Sequence, residues 1–471
     1  MIRLIALFYI VLVACDAHAQ QRPNVVLIIS DDQTYRDFGF MGNVEVHTPN
    51  LDTLARQSAR YVNGYVPSSV CRPSLVSILT GLYPHQHKVH FNHPPPGFAK
   101  LTKSVNIDKT QFDALREKPT KFVRNVPTLP RELAKAGYRC FQTGKYWEGH
   151  FRNAGFTEGM TTAQPSTQDG ITPAKYGDKQ LPSGDIVAHG NGDHGLSIGR
   201  ETMQPIQRFM DDCGEQPFFL WYAPFLPHAP HDSPQEYYDL LADRDIAKHK
   251  LPYYASIAQF DRTVGDLMSM LAERQLMKNT IVVFVVDNGW TPDVNRFVKQ
   301  RREWDHTPES KRAPFEDGLR TPILIRWDRH VQPARHTELV SSIDIMPSCL
   351  AACGIKLPDG LLGQNLMPSA TGESKLDSGR AVFGGIYPGD ASKLGAPSQD
   401  IAYRWVRQHD LKLIVPHKQR GKAAWKGLVT APALFNVRKD PREQNDLARQ
   451  SASDAKRLQK LLDQWWLPDP K

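Results

Sequence analysis

Two short runs constrain this chain more than any other feature. "NVVLIIS" (Asn24–Ser30) and the apolar body of "NTIVVFVVDNG" (Asn279–Gly289) are rich in β-branched residues and strand-length. A strand with no polar face has to be covered on both sides. That is the situation of a parallel strand inside a sheet packed between two helix layers. Both runs also stop on oxygen donors, Asp31-Asp32 after the first and Asp287-Asn288 after the second. Ligands of open α/β sheets collect at the carboxyl ends of strands. If these two strands are neighbours, four side-chain oxygen donors converge on one point, and an all-oxygen set favours Ca²⁺ or Mg²⁺ over zinc. An isolated Asp pair at a strand end is as readily a turn cap, so the argument rests on there being two.

The rest of the chain supports the same architecture. "TPNLDTLARQSARY" reads as a helix, and "PSLVSILTG" as a short helix with Pro73 in its first turn and Gly81 at its end. "LPRELAKAGYRCFQTGK" reads as helix, glycine stop and strand; "QPFFLWYAPFLPHAPH" as a strand entering a Pro/His loop; "LPYYASIAQFDRTVGDLMSMLAERQL" as a long helix. "TPILIRW" is a further strand and "SSIDIMPSCLAACGI" a further helix. Alternation of this kind predicts an α/β fold, with a large, mainly parallel central sheet flanked by helices on both faces. Segments 90–125 and 160–195 lack periodicity and read as long loops. A polar stretch near residue 375 precedes "IAYRWVRQ", "LKLIVPH", "ALFNVRKDPREQNDLA" and a final amphipathic helix. These predict a smaller C-terminal α+β subdomain, an antiparallel sheet plus terminal helix, over 376–471 after a catalytic domain over 20–375.

The chain has 471 residues, 40% hydrophobic and 23% charged, an ordinary globular composition that argues against disorder. Lys+Arg 58 against Asp+Glu 50 gives +8, a mild excess compatible with anionic substrates and with nothing more specific. No nucleic-acid partner is expected. Residues 1–19 read as a signal peptide: an early Arg3, an apolar run too short to span a bilayer, and the small-x-small end Ala17-His18-Ala19. "LVAC" offers a second exit, lipidation of Cys15. Either way the expected location is exported, periplasmic or secreted, with no transmembrane span in the mature chain. Five further cysteines, Cys71, Cys140, Cys213, Cys349 and Cys353, leave at least one unpaired, and none has zinc spacing. Cys71 stands out, because it precedes Pro73 at a helix start, where a thiolate is favoured.

Lys145 in "QTGKYW", His228 in "FLPHAPH" and Lys311 before "FEDGLRTP" each fall where the sheet's carboxyl edge would present them. Cations and a metal around one point suit a small, multiply charged oxyanion, a sulfate or phosphate ester. His189, Asp193 and His194 in "VAHGNGDHG" are candidates to touch a sugar. Trp221, Tyr222, Trp304 and Trp405 are candidate stacking platforms, although the first two continue a strand and read as core.

Eight pieces occur in one order: "NVVLIISDD", "CRPSLVSILTGLYPHQH", "TGKYW", "FFLWYAPFLPHAP", "VVFVVDNG", "KRAPFEDGLRTP", "SSIDIMPSCLAACGI" and "ALFNVRKDPREQNDLA". In that order they resemble the type I, formylglycine-dependent sulfatases of the alkaline-phosphatase-like superfamily. The resemblance implies a sulfuric ester hydrolase in which Cys71 is converted by a maturation enzyme to formylglycine (3-oxoalanine), and whose substrate is a sulfated carbohydrate or a small sulfate ester. It implies Asp31, Asp32, Asp287, Asn288 and the modified Cys71 as ligands of Ca²⁺, with Mg²⁺ the alternative. Lys145, His228 and Lys311 are implied to grip the sulfate, His87 to tune the nucleophile, and His194 is a further substrate-binding candidate.

Two positions depart from that pattern. The family signature C-x-P-S-R ends here in Leu75, and "GKWHLG" is replaced by "GKYWEG", putting Trp147 where a histidine stands; His150 is the nearest substitute. The same residues also suit a phosphodiester or phosphonate hydrolase. Leu75 and Trp147 favour a third reading, a sulfatase-like binding protein without turnover.

Overall fold

The computed structural model of the protein describes residues 22–104, 106–165, 178–295 and 306–469. The expected signal segment, Cys15 and Trp304 lie outside them. Strands β1 (Asn24–Ser30), β2 (Ala59–Tyr65), β3 (Arg139–Gly144) and β4 (Glu158–Gly159) come first. A separate two-stranded hairpin, β5 (Lys179–Gln180) and β6 (Ile186–Val187), follows. The main sheet then gains β7 (Phe218–Ala223), β8 (Thr280–Val286), β9 (Arg320–Arg326), β10 (Ala334–His336) and β11 (Val340–Ser341). Its order is β10-β2-β9-β8-β1-β7-β3-β4, with β11 also on β2.

β1 runs parallel to both β7 and β8, and its register with β8 pairs all seven residues from Asn24–Thr280 to Ser30–Val286. One strand reverses: β9 is antiparallel to β8 and to β2. The sheet is therefore mixed, though parallel pairs dominate.

The apolar character of β1 on both faces is spent on two cores. Val25, Leu27 and Ile29 pack with the helices Cys71–Thr80, Leu129–Lys135 and Ile345–Ala352. Val26 and Ile28 pack with Pro49–Arg56, Gln204–Cys213 and Leu251–Glu273. The pattern is that of a sheet covered on both sides.

Three local expectations change. The run read as a helix through Tyr61 is helical only to Arg56, and from Ala59 it becomes β2, where Ala59 and Tyr61 join the core. Segment 90–125 is not a loop but a set of short helices, Phe98–Lys103, Lys109–Glu117 and Lys121–Arg124, anchored by single residues such as Leu101 and Phe112. Helices this short carry too few apolar positions to establish a period. In 160–195, the described part contains the β5–β6 hairpin and the turn Asp193–Ser197.

After the main sheet comes an antiparallel sheet, β12 (Ala381–Ile386), β13 (Tyr403–Gln408), β14 (Leu411–Pro416) and β15 (Ala433–Asn436), in sequential order. One face, with Val406, Leu413 and Leu434, is covered by Leu458 and Leu462 of the terminal helix Ala452–Trp465. The other, with Trp405 and Ile414, packs on Tyr65, Phe315 and Leu319 of the main body. Trp221, Tyr222 and Trp405 are all fully buried and serve as core. β12 is obscured in the sequence by Gly384 and Gly385. The structure needs the first of them, since a Cβ at Gly384 would lie 2.1 Å from the Pro67 carbonyl oxygen.

A buried charge cluster fastens the two sheets. Lys412 Nζ on β14 lies 3.1 Å from Glu316 Oε1 and 2.9 Å from Glu443 Oε1. Tyr65 on β2 donates to Glu316 Oε2 at 2.6 Å and accepts from Arg407. Burial pushes the Glu443 carboxyl up to about 7, with the neighbouring Lys412 opposing. Replacing Lys412 by Met leaves these carboxylates without their shared cation. The expected loss is about 3–5 kcal/mol, read from the denaturant midpoint; a change within 0.5 kcal/mol would show that the cluster does not fasten the sheets.

Candidate active site

The register of β1 against β8 settles where the acidic residues meet. Ser30 opposes Val286, so Asp31 and Asp287 leave the sheet side by side, and Asp287 N donates to Ser30 O at 2.9 Å. Asp32 then turns into the left-handed region, φ 63°, a conformation aspartate tolerates better than most residues. Its backbone N–H donates to Asp287 Oδ1 at 3.0 Å, and Asn288 Nδ2 donates to Asp32 Oδ1 at 2.6 Å.

β7 and β3 continue the same edge. Lys145 follows β3 and directs Nζ to Asp31 Oδ1 at 2.5 Å, with Asp287 Oδ2 at 3.6 Å. Lys311 Nζ donates to Asp32 Oδ2 at 2.6 Å. His228, beyond β7, places Nε2 3.3 Å from Asp32 Oδ2. Its Nδ1 lies 2.6 Å from the Ala229 carbonyl and must donate there, so Nε2 is the ring atom left to face a ligand. Ligand atoms of Asp31, Asp32, Cys71 and His228 all lie within 4.8 Å of one another.

The electrostatics are unbalanced. Three carboxylates face two ammonium groups, all of them buried. Burial pushes Asp31 well above the usual carboxylate range, and Asp287 beside it adds to the shift; Asp287 is raised as well, by burial first. Burial also opposes ionisation of Asp32, but Lys311 and His228 outweigh it and hold that carboxyl low. Burial alone would lower Lys145 and Lys311; their aspartates reverse this and keep both cationic. Asp31 Oδ2, Asp287 Oδ2 and Asn288 Oδ1 are buried without a hydrogen-bond partner. Orphaned buried oxygens are uncommon. Three at the neighbouring ends of β1 and β8 leave oxygen donors unspent, and a divalent cation fits that donor set.

Cys71 is the first residue of the helix Cys71–Thr80 and is 2% exposed. The helix start does not make it a thiolate. Burial pushes the thiol up to about 11, against the pull of Lys145 and Lys311. All five described cysteines are buried free thiols.

Eight of the expected residues thus gather at one place: Asp31, Asp32, Cys71, Lys145, His228, Asp287, Asn288 and Lys311. His87 is engaged elsewhere. Its Nδ1 accepts from Val89 N at 3.1 Å and its Nε2 meets Ser77 Oγ at 3.1 Å, on the second turn of the Cys71 helix. His194 is half-buried in the turn Asp193–Ser197, where its carbonyl accepts from Ser197 Oγ at 2.9 Å. Asp193 is buried and accepts from Gly190 N at 3.2 Å. His150 packs on Phe151 at 4.3 Å, and its Nδ1 accepts from Arg152 N at 3.2 Å.

The two altered motifs are joined by a contact between neighbours of the changed positions. Leu75 is core, packed among the apolar residues beneath the sheet. Arg72 is 1% exposed and forms a two-pronged pair with Glu148, Nε to Oε1 at 2.6 Å and Nη2 to Oε2 at 2.8 Å. Glu148 is the residue after Trp147, so this pair ties the start of the Cys71 helix to the Lys145 loop. Its only sequence signal is that each partner adjoins a motif residue. Changing Glu148 to Gln strands the Arg72 charge, with an expected cost of about 3–5 kcal/mol, whereas Arg72→Met with Glu148→Met costs less than either single change. Denaturant unfolding checks both; a double variant weaker than the singles would contradict the pairing.

The sulfatase family model matches residues 23–355, and a second model, N-sulphoglucosamine sulphohydrolase C-terminal, matches residues 305–465. Arylsulfatase A of Homo sapiens is 28% identical over 399 residues, 78% of this chain and 71% of that one. An ulvan-active sulfatase of Formosa agariphila is 22% identical over 464 residues, 94% of this chain and 78% of that one. Among solved structures, Ps i-CgsB superposes with a TM-score of 0.68 at 20% identity, covering 96% of this chain and 94% of the other. With the match spanning most of its length, this chain belongs to the sulfatase family, enzymes that hydrolyse sulfate esters.

Proposed function

We propose that this protein is an exported sulfatase acting on a sulfated carbohydrate, through a formylglycine made from Cys71 and a divalent cation, Ca²⁺ or Mg²⁺, held by Asp31, Asp32, Asp287, Asn288 and residue 71. The observation that carries the reading is the set of three orphaned buried oxygens, Asp31 Oδ2, Asp287 Oδ2 and Asn288 Oδ1, beside a group of potential ligands, Asp31, Asp32, Cys71 and His228, to which Asp287 and Asn288 are hydrogen-bonded through Asp32. When present, the cation neutralises the ester's sulfate oxygens and the modified residue supplies the attacking hydroxyl of a hydrated aldehyde.

The chain's own groups supply the rest. Lys145 and Lys311 are fixed by aspartates and cationic, so they offer N–H donors where charge collects on the sulfate without reorganising. His228, with Nδ1 committed to Ala229 O, donates from Nε2 to an ester or leaving oxygen only as the imidazolium, a form that burial disfavours and Asp32 favours. Cys71 as a thiol is protonated at neutral pH and a weak nucleophile; its conversion fits the site better than direct attack. His87 acts through Ser77 to hold the Cys71 helix, a positioning role. His194 is a candidate for contact with the substrate. We assign catalysis to residues 20–375, and substrate shaping to segments 90–125 and 160–195 together with the C-terminal subdomain, 376–471.

The carbohydrate part draws on relatives. The names of an endo-4-O-sulfatase and an ulvan-active sulfatase support it, as do solved chains holding k-i-k-neocarrahexaose and D-glucosamine-2-N,6-O-disulfate. Among the described residues no helix is long and apolar enough to cross a membrane.

In protein made with a maturation enzyme, the tryptic peptide containing residue 71 is expected to carry an aldehyde in place of the thiol. That protein should release sulfate from aryl or carbohydrate sulfates and act poorly on matched phosphate and phosphonate esters. Cys71→Ala is expected to lose at least roughly a thousandfold in kcat, the scale on which removing a nucleophile acts. Active protein with an unmodified thiol at residue 71 would contradict the proposal, and preferred turnover of the phosphorus esters would replace it with the phosphohydrolase reading.

A further inference from the structure

A cavity of about 340 Å³ opens beside the Lys145 loop, with Trp147, Arg116, Phe112, Asp113, Glu117 and Gly190 among the described residues that line it. The size falls in the range of small-molecule sites. Its wall continues the loop that carries Lys145: Trp147 is two residues beyond Lys145 in the chain, and Tyr146 N donates to Asn191 O at 2.9 Å, next to Gly190.

Its charge is one-sided. The two carboxylates on its wall are already used, Asp113 by Lys109 Nζ at 2.5 Å and Glu117 by Arg124. Arg116 is not neutralised in this way. Its Nη1 donates to His93 Nδ1 at 3.0 Å and its Nη2 to Gly190 O at 3.4 Å, both neutral acceptors. Among the described residues no carboxylate comes within ion-pair distance of it; Asp193, Glu148 and Asp390 act on it only at range. Burial and the Arg72 charge pull Arg116 down to about 10, so it is still a cation at neutral pH. Trp147 is 6% exposed, and its indole Nε1–H has no hydrogen-bond partner. His93 and His189 stand edge-on to Trp147 at 5.3 and 5.5 Å, and burial keeps both neutral.

The position of Arg116 depends on a glycine. Gly190 has φ +82°, and a Cβ there would fall 2.4 Å from Arg116 Nη2. Unspent donors, one uncompensated cation and an aromatic wall describe a pocket for an anion carried on a ring.

We propose that this cavity is a subsite for a sugar that carries a second anionic group, a carboxylate or a second sulfate, and that Arg116 reads that group. The proposal deepens the carbohydrate-sulfatase reading and rests on it for the nature of the ring. It also gives the exchange of histidine for Trp147 a use, as a wall of the subsite.

The test is calorimetric, on full-length Cys71→Ala protein so that nothing is turned over. Three probes are titrated: a monosulfated chondroitin disaccharide with its free uronate, the same disaccharide as the uronate methyl ester, and that ester carrying a second sulfate. The free uronate should bind roughly 10- to 100-fold more tightly than the ester, the range of charge-assisted hydrogen bonds. In Arg116→Gln that ratio should fall to about one. Gly190→Ala, which keeps the charge but moves it, should lower the ratio as well. Recovery of tight binding by the third probe assigns the subsite to either anion; failure to recover assigns it to carboxylates. An equal ratio in Cys71→Ala and Cys71→Ala/Arg116→Gln, or no binding of any probe, overturns the proposal. Sulfate release is scored separately, so failure of the sulfatase reading would not be mistaken for failure of the subsite.

Discussion

Burial of three carboxylates at the end of two adjacent strands is the constraint on which the rest of the molecule depends. Each buried ion costs several kcal/mol unless it is paired. Among the described residues, Asp31, Asp32 and Asp287 face two ammonium groups, Lys145 between Asp31 and Asp287 and Lys311 on Asp32. The remaining negative charge and the three unsatisfied oxygens make the cluster expensive unless another positive charge joins it. The scaffold has to be rigid enough to hold that arrangement. A seven-residue parallel register between β1 and β8, buried on both faces, does so.

Around this centre, a feature that looked like damage has a structural counterpart. Leu75 gives up the signature arginine, yet a buried arginine is still present, one residue after Cys71 instead of four. It is paired with Glu148, which itself lies in the altered "GKYWEG" segment. The Arg72–Glu148 pair therefore joins the two altered motifs, connecting the helix that presents residue 71 to the loop that presents Lys145. Phe91 lies under the Arg72 guanidinium at 5.1 Å, and Asn92 binds both its backbone N–H and its side chain, so the pair is held on several sides.

What the sequence disclosed follows from how local each signal is. The apolar runs ending in Asp31-Asp32 and Asp287-Asn288 carry their own evidence, because strand character and terminal donors sit within nine residues. Lys145, His228 and Lys311 were legible once a carboxyl edge was assumed. The reversal of β9 was not legible, since "TPILIRW" looks the same in either direction and only its partners β8 and β2 decide. β12 was masked by Gly384 and Gly385, whose reason is the approach of Pro67. The end of the first helix was misread because Ala59 and Tyr61 fit either element, and tertiary packing chose the strand. The thiol of Cys71 was misjudged because a helix start suggests a low pKa, while burial, invisible in sequence, raises it. The pairing of Arg72 with Glu148 spans 76 residues, and the only local trace of it is that each partner adjoins a motif residue.

Cation binding to the unmodified protein tests the central claim most directly, because it asks about the strand-edge charge without depending on maturation or substrate. Thermal unfolding at neutral pH, in chelator and then in rising Ca²⁺ or Mg²⁺, is the measurement. A site built as described predicts stabilisation of roughly 2.7 kcal/mol when the ion reaches a hundred times its dissociation constant. It also predicts that Asp287→Asn weakens the ion-dependent rise, and that the rise shrinks as pH falls and protons compete for Asp31 and Asp287. An unfolding midpoint indifferent to both ions, in a folded protein, would contradict the account.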